Sequence, residues 1–494
     1  MKFNNNKLNI LYVSAEVDPY AKTGGLADVA GSLPKELSLL GHEVRVVMPR
    51  YGFISQDMVY VCDFPVEMGS RKETCIIKQG GFSNSQDQTI PVYFIENHHY
   101  YNREGIYCYN DDGQRFILMC KAALEMLKYI DFKPDVIHCN DWHTGPVCLL
   151  LKERYHSQEP YRDIATVYTV HNLEYQGNFG AEITEYLNLE AEYFTPEKAE
   201  FYGMFSFMKC GLVYADIINT VSRQYAEEIQ TSAYGERMEG VLVKRKKDLF
   251  GIVNGISYEE FNPERDRCLK VNYDINSAAL KKDNKKALQK ELGLKESTSP
   301  LLGLVTRLTG QKGLELLIGC IEELIKKENV QLAVLGLGDE YYYKAFSGLQ
   351  IKYPDNVAAV FEFNTDLAKR IYSAADMFLM PSRFEPCGLG QIISLRYGTI
   401  PVVRATGGLA ETIIDYDADN EKGNGFSFEE FSVRAFRETL QRAINVYKDK
   451  PDIWEKLVCR ALSSDFSWKK PGREYLKLYE LALEKIKKEV TSDE

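Results

Sequence analysis

The 494-residue chain lacks several features that would each point to a particular class of protein. No uninterrupted apolar run is long enough to cross a bilayer, and no signal-peptide cleavage pattern follows the first apolar run. The formal net charge is −11, so the chain has no positive excess to attract nucleic acid or anionic lipid. The 11 cysteines are scattered and odd in number, which argues against a disulfide framework. These absences predict a soluble, reduced, cytoplasmic protein that binds neither nucleic acid nor membrane.

The chain has instead a recurring pattern of short apolar runs, each followed by a polar or glycine-rich turn and a helical pattern. Strands this apolar are typical of a parallel sheet covered by helices on both faces. The pattern fills both halves and predicts an α/β fold of two Rossmann-like, doubly wound domains, with the cleft between them as the default site. The predicted domains are residues 1–255 and 256–472, because the chain turns polar and charged between Ile256 and Pro300. The lysine-rich part of this connection is predicted to be a solvated helix, and residues 473–494 are predicted to form a long helix.

The first turn, "KTGGL", follows a strand and precedes a helical pattern that Gly41 ends. Gly24 and Gly25 let the backbone approach a ligand, the helix start offers N–H groups, and Lys22 adds a positive charge. Together they suit a phosphate or a sugar diphosphate, although an ordinary tight turn explains the motif better when it is taken alone. The G-x-G-x-x-G spacing of dinucleotide-binding turns is absent. Pro34 either kinks the helix that follows or begins a second one.

Polar and aromatic side chains follow a second strand in "DVIHCNDWHTG". Such a cluster suits a sugar, because Trp142 can stack on a ring while Asp141 accepts hydroxyl protons. A metal site built from His138, His143 and Asp141 is an alternative, but no second His/Cys cluster at ligand spacing supports it. A satisfied buried histidine is the commoner fate of either histidine alone.

Two more strand ends carry candidates. His171 and Asn172 follow a β-branched strand in "TVYTVHNLEYQGNF", and Asn254 lies in "IVNGI". A helix cap explains Asn172 and a plain turn explains Asn254 equally well. Together with the preceding motif, however, they favour a polar pocket in the first domain.

In the second half, "GLVTRLTGQKGLELLI" places Arg307 and Lys312 on a glycine loop at a helix start. This is the arrangement a diphosphate needs, since charge-assisted hydrogen bonds to phosphate are worth about 1.5–3 kcal/mol each. A solvated turn carries less weight here because of the strand-loop-helix context.

The stretch "MPSRFEPCGLGQIISLRYGTIPVVRATGGLAETI" is the most specific in the chain. Glu385 lies in a proline-bounded loop directly before a helix, where its carboxylate can bind sugar hydroxyls. The second glycine turn repeats the device of "KTGGL" and can offer N–H and O–H donors to phosphate. Cys387 could be a reactive thiol, but packing is the safer interpretation. The candidate residues of this stretch are Glu385, Cys387, Gly388, Leu389, Thr406, Gly407 and Gly408.

The motifs "KTGGLADV", "NDWHTG", "HNLEYQG", "VNGI", "TRLTGQKG" and "PSRFEPCGLGQIISLRYGTIPVVRATGGL" resemble those of the bacterial glycogen synthases and plant starch synthases, in the same order along nearly the whole chain. The resemblance implies a GT-B fold, with the C-terminal helix crossing back onto the first domain. It also implies retaining transfer of glucose from ADP-glucose to the non-reducing end of glycogen or a linear α-1,4-glucan. No metal or other cofactor is implied. Ile393 stands where many GT-B enzymes have a second glutamate, a lack that this family shares.

The resemblance also implies roles for single residues. Arg307 and Lys312 would neutralise the leaving diphosphate, Glu385 would hold the glucose hydroxyls, and the backbone carbonyl of His171 would stabilise the oxocarbenium-like centre. Lys22 would contact the phosphates from the first domain. The further residues that match substrate-binding motifs are Gly24, Gly25, Asp28, Asp141, Asn172, Asn254, Cys387, Gly388, Leu389, Thr406, Gly407 and Gly408.

Three alternatives remain open at the level of sequence. One is a GT-B enzyme that uses UDP-glucose or a small-sugar acceptor, because no residue named above reads the nucleobase. A Rossmann-type dehydrogenase would need the glycine spacing that the first turn lacks. A non-catalytic glucan-binding protein would not need cations in both domains.

Overall fold

A computed structural model describes residues 7–418 and 422–493 of the chain. The described residues divide into two units. The first contains the residues up to Gly255 together with those from Trp468 onward, and the second contains the residues from Ile256 to Ser467. No helix among the described residues is long and apolar enough to cross a membrane.

The first unit is built on a large sheet with helices on both faces. The strands of this unit are β1 (Asn9–Val13), β2 (Glu43–Pro49), β3 (Val59–Met68), β4 (Arg71–Ser83), β5 (Thr89–Glu96), β6 (Val136–Asn140), β7 (Ala165–Val170), β8 (Asn178–Phe179), β9 (Glu200–Phe201), β10 (Met204–Ser206), β11 (Ile217–Thr220) and β12 (Leu249–Gly251). Of these, β8, β9 and β10 form a separate small sheet. The helices of the unit before residue 255 are α1 (Gly25–Leu39), α2 (His98–Tyr101), α3 (Asp112–Glu125), α4 (Gly145–Leu150), α5 (Ile183–Leu187), α6 (Phe207–Tyr214), α7 (Arg223–Glu228) and α8 (Glu239–Lys244).

The large sheet has the strand order β12-β11-β7-β6-β1-β2-β5-β4-β3. All its pairings are parallel except those of β3 with β4 and of β4 with β5. Sequence patterning missed β3 and β4, because an edge hairpin that alternates exposed and buried residues contains no continuous apolar run. The chain reverses direction across the sheet between β1 and β6, so the turns after these two strands lie at a topological switch point, where ligands bind in such sheets.

The helix α1 follows the prediction from its apolar spacing. Leu26, Val29, Leu33 and Leu37 are buried along one face, and Gly41 leaves the helix with φ +95°. Pro34 lies inside an uninterrupted helix and begins no second one. It costs α1 one backbone hydrogen bond, because proline has no N–H.

The second unit is a smaller sheet of the same design. Its strands are β13 (Leu301–Val305), β14 (Gln331–Leu335), β15 (Val357–Val360), β16 (Met377–Met380), β17 (Ile400–Arg404) and β18 (Phe426–Phe428). Its helices are α9 (Lys281–Glu291), α10 (Leu314–Ile318), α11 (Ile321–Glu328), α12 (Glu340–Lys352), α13 (Thr365–Ala374), α14 (Gly390–Arg396), α15 (Gly407–Thr412), α16 (Val433–Asp449) and α17 (Pro451–Ser463).

The strand order of this sheet is β15-β14-β13-β16-β17-β18, with every pairing parallel. This is the 3-2-1-4-5-6 order of a doubly wound nucleotide-binding fold. The switch point lies between β13 and β16, and the turns that follow these strands carry Lys312 and Glu385. Both units therefore confirm the predicted α/β class of two Rossmann-like folds.

The prediction of a solvated lysine helix is wrong for part of α9. Lys281 and Lys285 are buried. The Nζ of Lys281 donates to the Ser373 carbonyl and to Thr399 Oγ1, both at 2.6 Å, and Lys285 pairs with Asp376 at 2.6 Å. Burial lowers the pKa of Lys281 to about 7. Charge runs do not reveal which lysines meet a partner that is distant in sequence.

The last helix, α18 (Lys469–Asp493), begins before the predicted residue 473 and belongs to the first unit. Pro471 is compatible with this earlier start, because the first helical turn needs no backbone N–H from it. The helix packs on the sheet of the first unit, where Tyr479 OH lies 2.8 Å from His138 Nδ1. Asn219 also donates to Tyr475 OH at 3.0 Å.

Candidate active site

A buried carboxylate holds the "KTGGL" turn of the first unit in shape. Glu16, just after β1, is 3% exposed. It accepts hydrogen bonds from Thr23 N at 2.5 Å, Thr23 Oγ1 at 2.7 Å and Gly24 N at 3.3 Å. The Tyr107 hydroxyl donates to the same carboxylate at 2.5 Å. Sequence analysis did not name Glu16, although an acidic residue directly after a buried strand is a signal that could have been used.

Lys22 and Asp28, both predicted to contact substrate, form an ion pair with each other. Both side chains are about a quarter exposed, so the pair is accessible from solvent. Gly24 precedes α1 with extended backbone, and a Cβ added there would meet nothing within 4 Å. Crowding by the protein therefore does not account for the glycine at this position.

Asp141 adopts a strained conformation at the end of β6. Its backbone has φ 60° and ψ 178°, a region that residues other than glycine rarely occupy and that is typical of functional sites. Its Oδ1 accepts from the backbone N–H groups of His171 at 3.2 Å and Asn172 at 3.5 Å. The structure thus brings together three residues predicted from two separate motifs.

The charges of this cluster depend on its burial. Desolvation raises the pKa of Asp141 to about 7, although the two backbone hydrogen bonds oppose the shift. Desolvation also lowers the pKa of His171 to about 3, so its imidazole is neutral at physiological pH. The His171 Nε2 lies 3.0 Å from Asn140 Oδ1.

The other aromatic residues after β6 pack within the first unit. The Trp142 ring is half-buried and contacts those of His143 and Phe116, at centroid distances of 3.9 and 5.1 Å, so its stacking on a sugar stays a prediction. Both ring nitrogens of His138 lie within hydrogen-bond distance of hydroxyls, one from Tyr479 and one from Thr169. His138 is therefore a satisfied core histidine, and the two-histidine metal alternative loses its support.

Asn254, at the end of the first unit's main segment, is 5% exposed. Its Oδ1 is buried and has no hydrogen-bond partner within residues 7–418 and 422–493. Burying an unpaired carbonyl oxygen costs about 1–3 kcal/mol. No hydrogen bond within the described residues explains the buried oxygen of Asn254, so its role in substrate binding stays a prediction.

The clearest site geometry in the second unit joins the turns after β13 and β16. Lys312 Nζ lies 2.7 Å from Glu385 Oε2, and Ser382 Oγ donates to the same oxygen at 3.0 Å. The side chains of Lys312 and Glu385 are only 14% and 9% exposed. The structure thus couples two predicted residues that are distant in sequence. Ser382, which the sequence analysis did not name, lies in the same loop, three residues before Glu385.

Two hydrogen bonds and a close backbone approach connect these two turns. Arg383 N donates to the Gln311 carbonyl at 2.8 Å, and Gln311 Nε2 donates to the Phe384 carbonyl at 3.3 Å. Gly313 has φ +63°, and a Cβ there would lie 2.0 Å from the Pro381 carbonyl oxygen. Arg307 is exposed at the rim, with Nη2 3.4 Å from Gln311 Oε1. These contacts therefore hold the turns of Lys312 and Glu385 against each other.

The second glycine turn packs closely against the loop that carries Glu385. The backbone N–H of Gly408 donates to the carbonyls of Glu385 and Pro386 at 3.2 and 3.1 Å. A Cβ on Gly407, which has φ +47°, would lie 2.0 Å from the Glu385 carbonyl oxygen. A Cβ on Gly408 would lie 2.1 Å from the Cys387 carbonyl oxygen. These glycines therefore let the loop of Glu385 pack onto the start of α15, which Thr406 precedes.

The residues between Glu385 and α14 are also held by contacts within the second unit. Cys387 is buried, and Gly388 has φ +73°. The Gln391 amide donates to the carbonyls of Cys387 and Gly388, each at 3.0 Å, and Leu389 immediately precedes the helix. Ile393, on the next turn, is 6% exposed and packs in the core of the unit.

Comparison with known proteins agrees with this architecture. Residues 9–244 match the family model of the starch synthase catalytic domain, and residues 285–456 match that of the group 1 glycosyl transferases. Two doubly wound units of this kind define a glycosyltransferase of the GT-B class.

Similarity to individual proteins shows which family of GT-B glycosyltransferases the chain belongs to. The chain is 51% identical to the glycogen synthase of Desulforudis audaxviator over 98% of both chains. It is also 51% identical to that of Moorella thermoacetica, over 97% of this chain and 98% of the relative. The solved catalytic domain of starch synthase IV from Arabidopsis thaliana, bound to ADP and acarbose, is 33% identical with a TM-score of 0.91. That match covers 97% of this chain and 100% of the plant domain. The chain belongs to the glycogen synthase family of glucosyltransferases.

Proposed function

We propose that the chain transfers glucose from ADP-glucose to the non-reducing end of glycogen or a linear α-1,4-glucan, with retention of configuration and release of ADP. We also propose that it acts in the cytoplasm and that no metal takes part. The observation that carries the proposal is the convergence of Lys312 and Ser382 on one oxygen of Glu385 at the switch point of the second unit. The ADP bound to the related plant starch synthase supports the choice of nucleotide.

In this proposal the two oxygens of Glu385 have different tasks. Oε2 is held by Lys312 and Ser382, which fixes the plane of the carboxylate. Oε1 then accepts hydrogen bonds from hydroxyls of the donor glucose. Such fixed acceptors orient the sugar before reaction. The entropy of ordering the sugar is then lost on binding, so it no longer adds to the activation barrier.

Two cations of the second unit, Lys312 and Arg307, stabilise the leaving diphosphate. A lysine has three N–H donors, so Lys312 can bind Glu385 and a phosphate oxygen together. Arg307 is exposed at the rim of the same turn, and a guanidinium binds phosphate through two parallel hydrogen bonds. Removing one such group from a charge-stabilising site typically costs about 10²–10³-fold in turnover.

The first unit contributes His171, Asp141 and the "KTGGL" turn to the reaction. The bond from glucose C1 to the β-phosphate oxygen breaks, and C1 bonds to the acceptor O4 on the same face. The O4 proton passes to the departing phosphate oxygen, so the products are ADP and the extended glucan. The His171 carbonyl stabilises the positive charge that develops at C1, and the neutral imidazole adds no opposing positive charge.

The purified full chain should be incubated with glycogen and either ADP-glucose or UDP-glucose, with glucose incorporation and nucleotide release followed together. We expect incorporation from ADP-glucose, weak use of UDP-glucose, and α-linkages by NMR of the product. Preference for UDP-glucose would overturn the donor assignment. Nucleotide release without incorporation would overturn the acceptor assignment.

Variants test the site itself. Glu385→Gln is expected to lower turnover by at least about 100-fold, whereas Glu340→Gln, on the exposed face of α12, is expected to leave it unchanged. Lys22→Ala is expected to weaken donor use strongly while the fold stays intact. Near-normal donor use by Lys22→Ala would remove the "KTGGL" turn from the site.

A further inference from the structure

A fully buried amide, that of Asn140, lies behind the His171 ring. Its Nδ2 donates to the backbone carbonyls of Val13 at 3.1 Å and His138 at 3.4 Å. Its Oδ1 accepts from the Tyr12 hydroxyl at 2.9 Å and lies 3.0 Å from His171 Nε2. Asn140 therefore bonds to β1, β6 and the turn after β7 simultaneously.

These contacts determine which way the amide faces. Carbonyl oxygens accept only, so the group beside Val13 and His138 must be the donating NH₂. The Tyr12 hydroxyl stays protonated, because burial raises its pKa well above the usual value. The oxygen of Asn140 consequently faces both Tyr12 and His171.

The orientation of the amide dictates the tautomer of His171. An amide oxygen has no hydrogen, so a hydrogen bond across 3.0 Å requires that His171 Nε2 carry the proton. The other tautomer would place two lone pairs against each other inside the protein. The neutral ring therefore has a bare Nδ1, which is a hydrogen-bond acceptor.

The groups around the ring keep it neutral. Desolvation lowers the pKa of His171 to about 3 and that of His138 also to about 3. It lowers the pKa of His143 well below the usual value. Asp141 accepts from the backbone of His171 rather than from its ring, and Glu16 acts on Asp141 from the turn after β1. Because Asn140 is uncharged, the group bonded to Nε2 offers no charge to stabilise an imidazolium.

We propose that Asn140 is a positioning residue that, supported by Tyr12, fixes His171 as the neutral tautomer protonated on Nε2, so that Nδ1 accepts a hydrogen bond from a substrate hydroxyl. This inference rests on the proposed role of His171 in glucosyl transfer. A protonated ring would carry an N–H at Nδ1, so it could no longer accept the proton of the substrate hydroxyl.

The first test is the ¹⁵N spectrum of the full chain labelled at its seven histidines, with the His171 signals assigned by a His171→Gln variant. We expect Nε2 protonated and Nδ1 bare between pH 6 and 9. A ring protonated on Nδ1, or an even mixture of tautomers, would overturn the inference. This measurement needs no substrate, so it stands even if transfer from ADP-glucose is not observed and the proposed function fails.

The second test is the pH profile of kcat/KM in an Asn140→Asp variant. A carboxylate bonded to Nε2–H stabilises the imidazolium, so the pKa of His171 should rise and transfer should fall about tenfold per pH unit below it. The matched control is Asn219→Asp, which changes another fully buried strand asparagine that bonds Tyr475 and Thr169 rather than His171. We expect no acidic limb in the control.

A changed His171 protonation state in Asn140→Asp with an unchanged pH profile would overturn the assigned role of Nδ1. If Asn140→Asp fails to fold, the spectrum of the unaltered chain still decides the tautomer. Tyr12→Phe gives a further check, because it removes one bond to the amide oxygen and keeps the one to His171. It should retain the Nε2-protonated ring.

Discussion

The coupling between Lys312 and Glu385 leads to the prediction that the structure defines most sharply. Lys312→Met removes the cation that pairs with the 9% exposed carboxylate of Glu385, and leaves Ser382 as a neutral donor to it. Breaking a buried ion pair by removing one partner costs about 3–5 kcal/mol. Because both side chains retain some exposure to water, we expect a cost of about 2–3 kcal/mol.

The reverse change is expected to cost less. Glu385→Gln keeps the volume and one acceptor oxygen, and Lys312 can turn its ammonium group towards water. The double variant removes both charges, so it should be less destabilised than the sum of the single variants by about 1.5–2 kcal/mol. Residues in one hydrogen-bonded network typically show coupling of about 0.5–3 kcal/mol.

Calorimetry of the full chain measures this cycle through the unfolding transition of the second unit. For a unit of this size, 1 kcal/mol corresponds to a shift in Tm of about 2–4 °C, so Lys312→Met should lower the transition by about 4–12 °C. Lys344→Met is the control, because Lys344 pairs with Glu340 on the surface of the same unit and both side chains are more than 70% exposed. It should leave the transition unchanged. Effects of the single variants that add to within about 0.5 kcal/mol would refute the coupling.

Three further predictions test the turns around the site. Gly407→Ala should destabilise the second unit and abolish transfer, because its Cβ would lie 2.0 Å from the Glu385 carbonyl oxygen. Gly24→Ala should fold normally, because its Cβ meets open space. Equal melting temperatures for the two variants would contradict this prediction. The pKa of Asp141 is raised to about 7, so the folded state holds a proton that the unfolded state releases above about pH 4, and stability should fall by about 1 kcal/mol per pH unit from pH 4 to 7. Asp141→Asn should remove this fall in urea unfolding and also lower transfer, and an unaltered pH dependence would disprove the assignment. Glu16→Gln should loosen the first turn and raise KM for the donor more than it lowers kcat, which steady-state kinetics can decide.

Much of the fold was predictable because apolar strands buried on both faces leave a continuous signal in the sequence. The runs that became β1, β6, β7, β13, β16 and β17 are of this kind, and the glycines and cations that follow them indicated the switch points. The hairpin β3–β4 was missed because one face of it meets water and its apolar residues alternate. Periodicity therefore reveals the interior of each sheet better than its edge.

The partners of the site residues were less predictable than the residues themselves. Sequence placed Lys312 and Glu385 in two separate motifs, and only the order of the strands brings the two turns together. The glycines of the last motif were expected to approach phosphate, which stays a prediction. What sequence did not reveal is that the carbonyls of the loop from Glu385 to Cys387 fill the space that a Cβ on Gly407 or Gly408 would need. A glycine in a sequence signals a close approach, but not what approaches.

A common principle connects the turns that carry Lys22 and Lys312. Each of these lysines was predicted to meet phosphate, and each is paired with a carboxylate of its own unit. A carboxylate partner at one of the three donors of an ammonium group fixes the direction in which that group points. Pairing also cancels much of the local positive charge, so neither turn should bind a small anion tightly by itself. Affinity for the donor must then come from several oriented contacts acting together, which favours a sugar diphosphate over free phosphate.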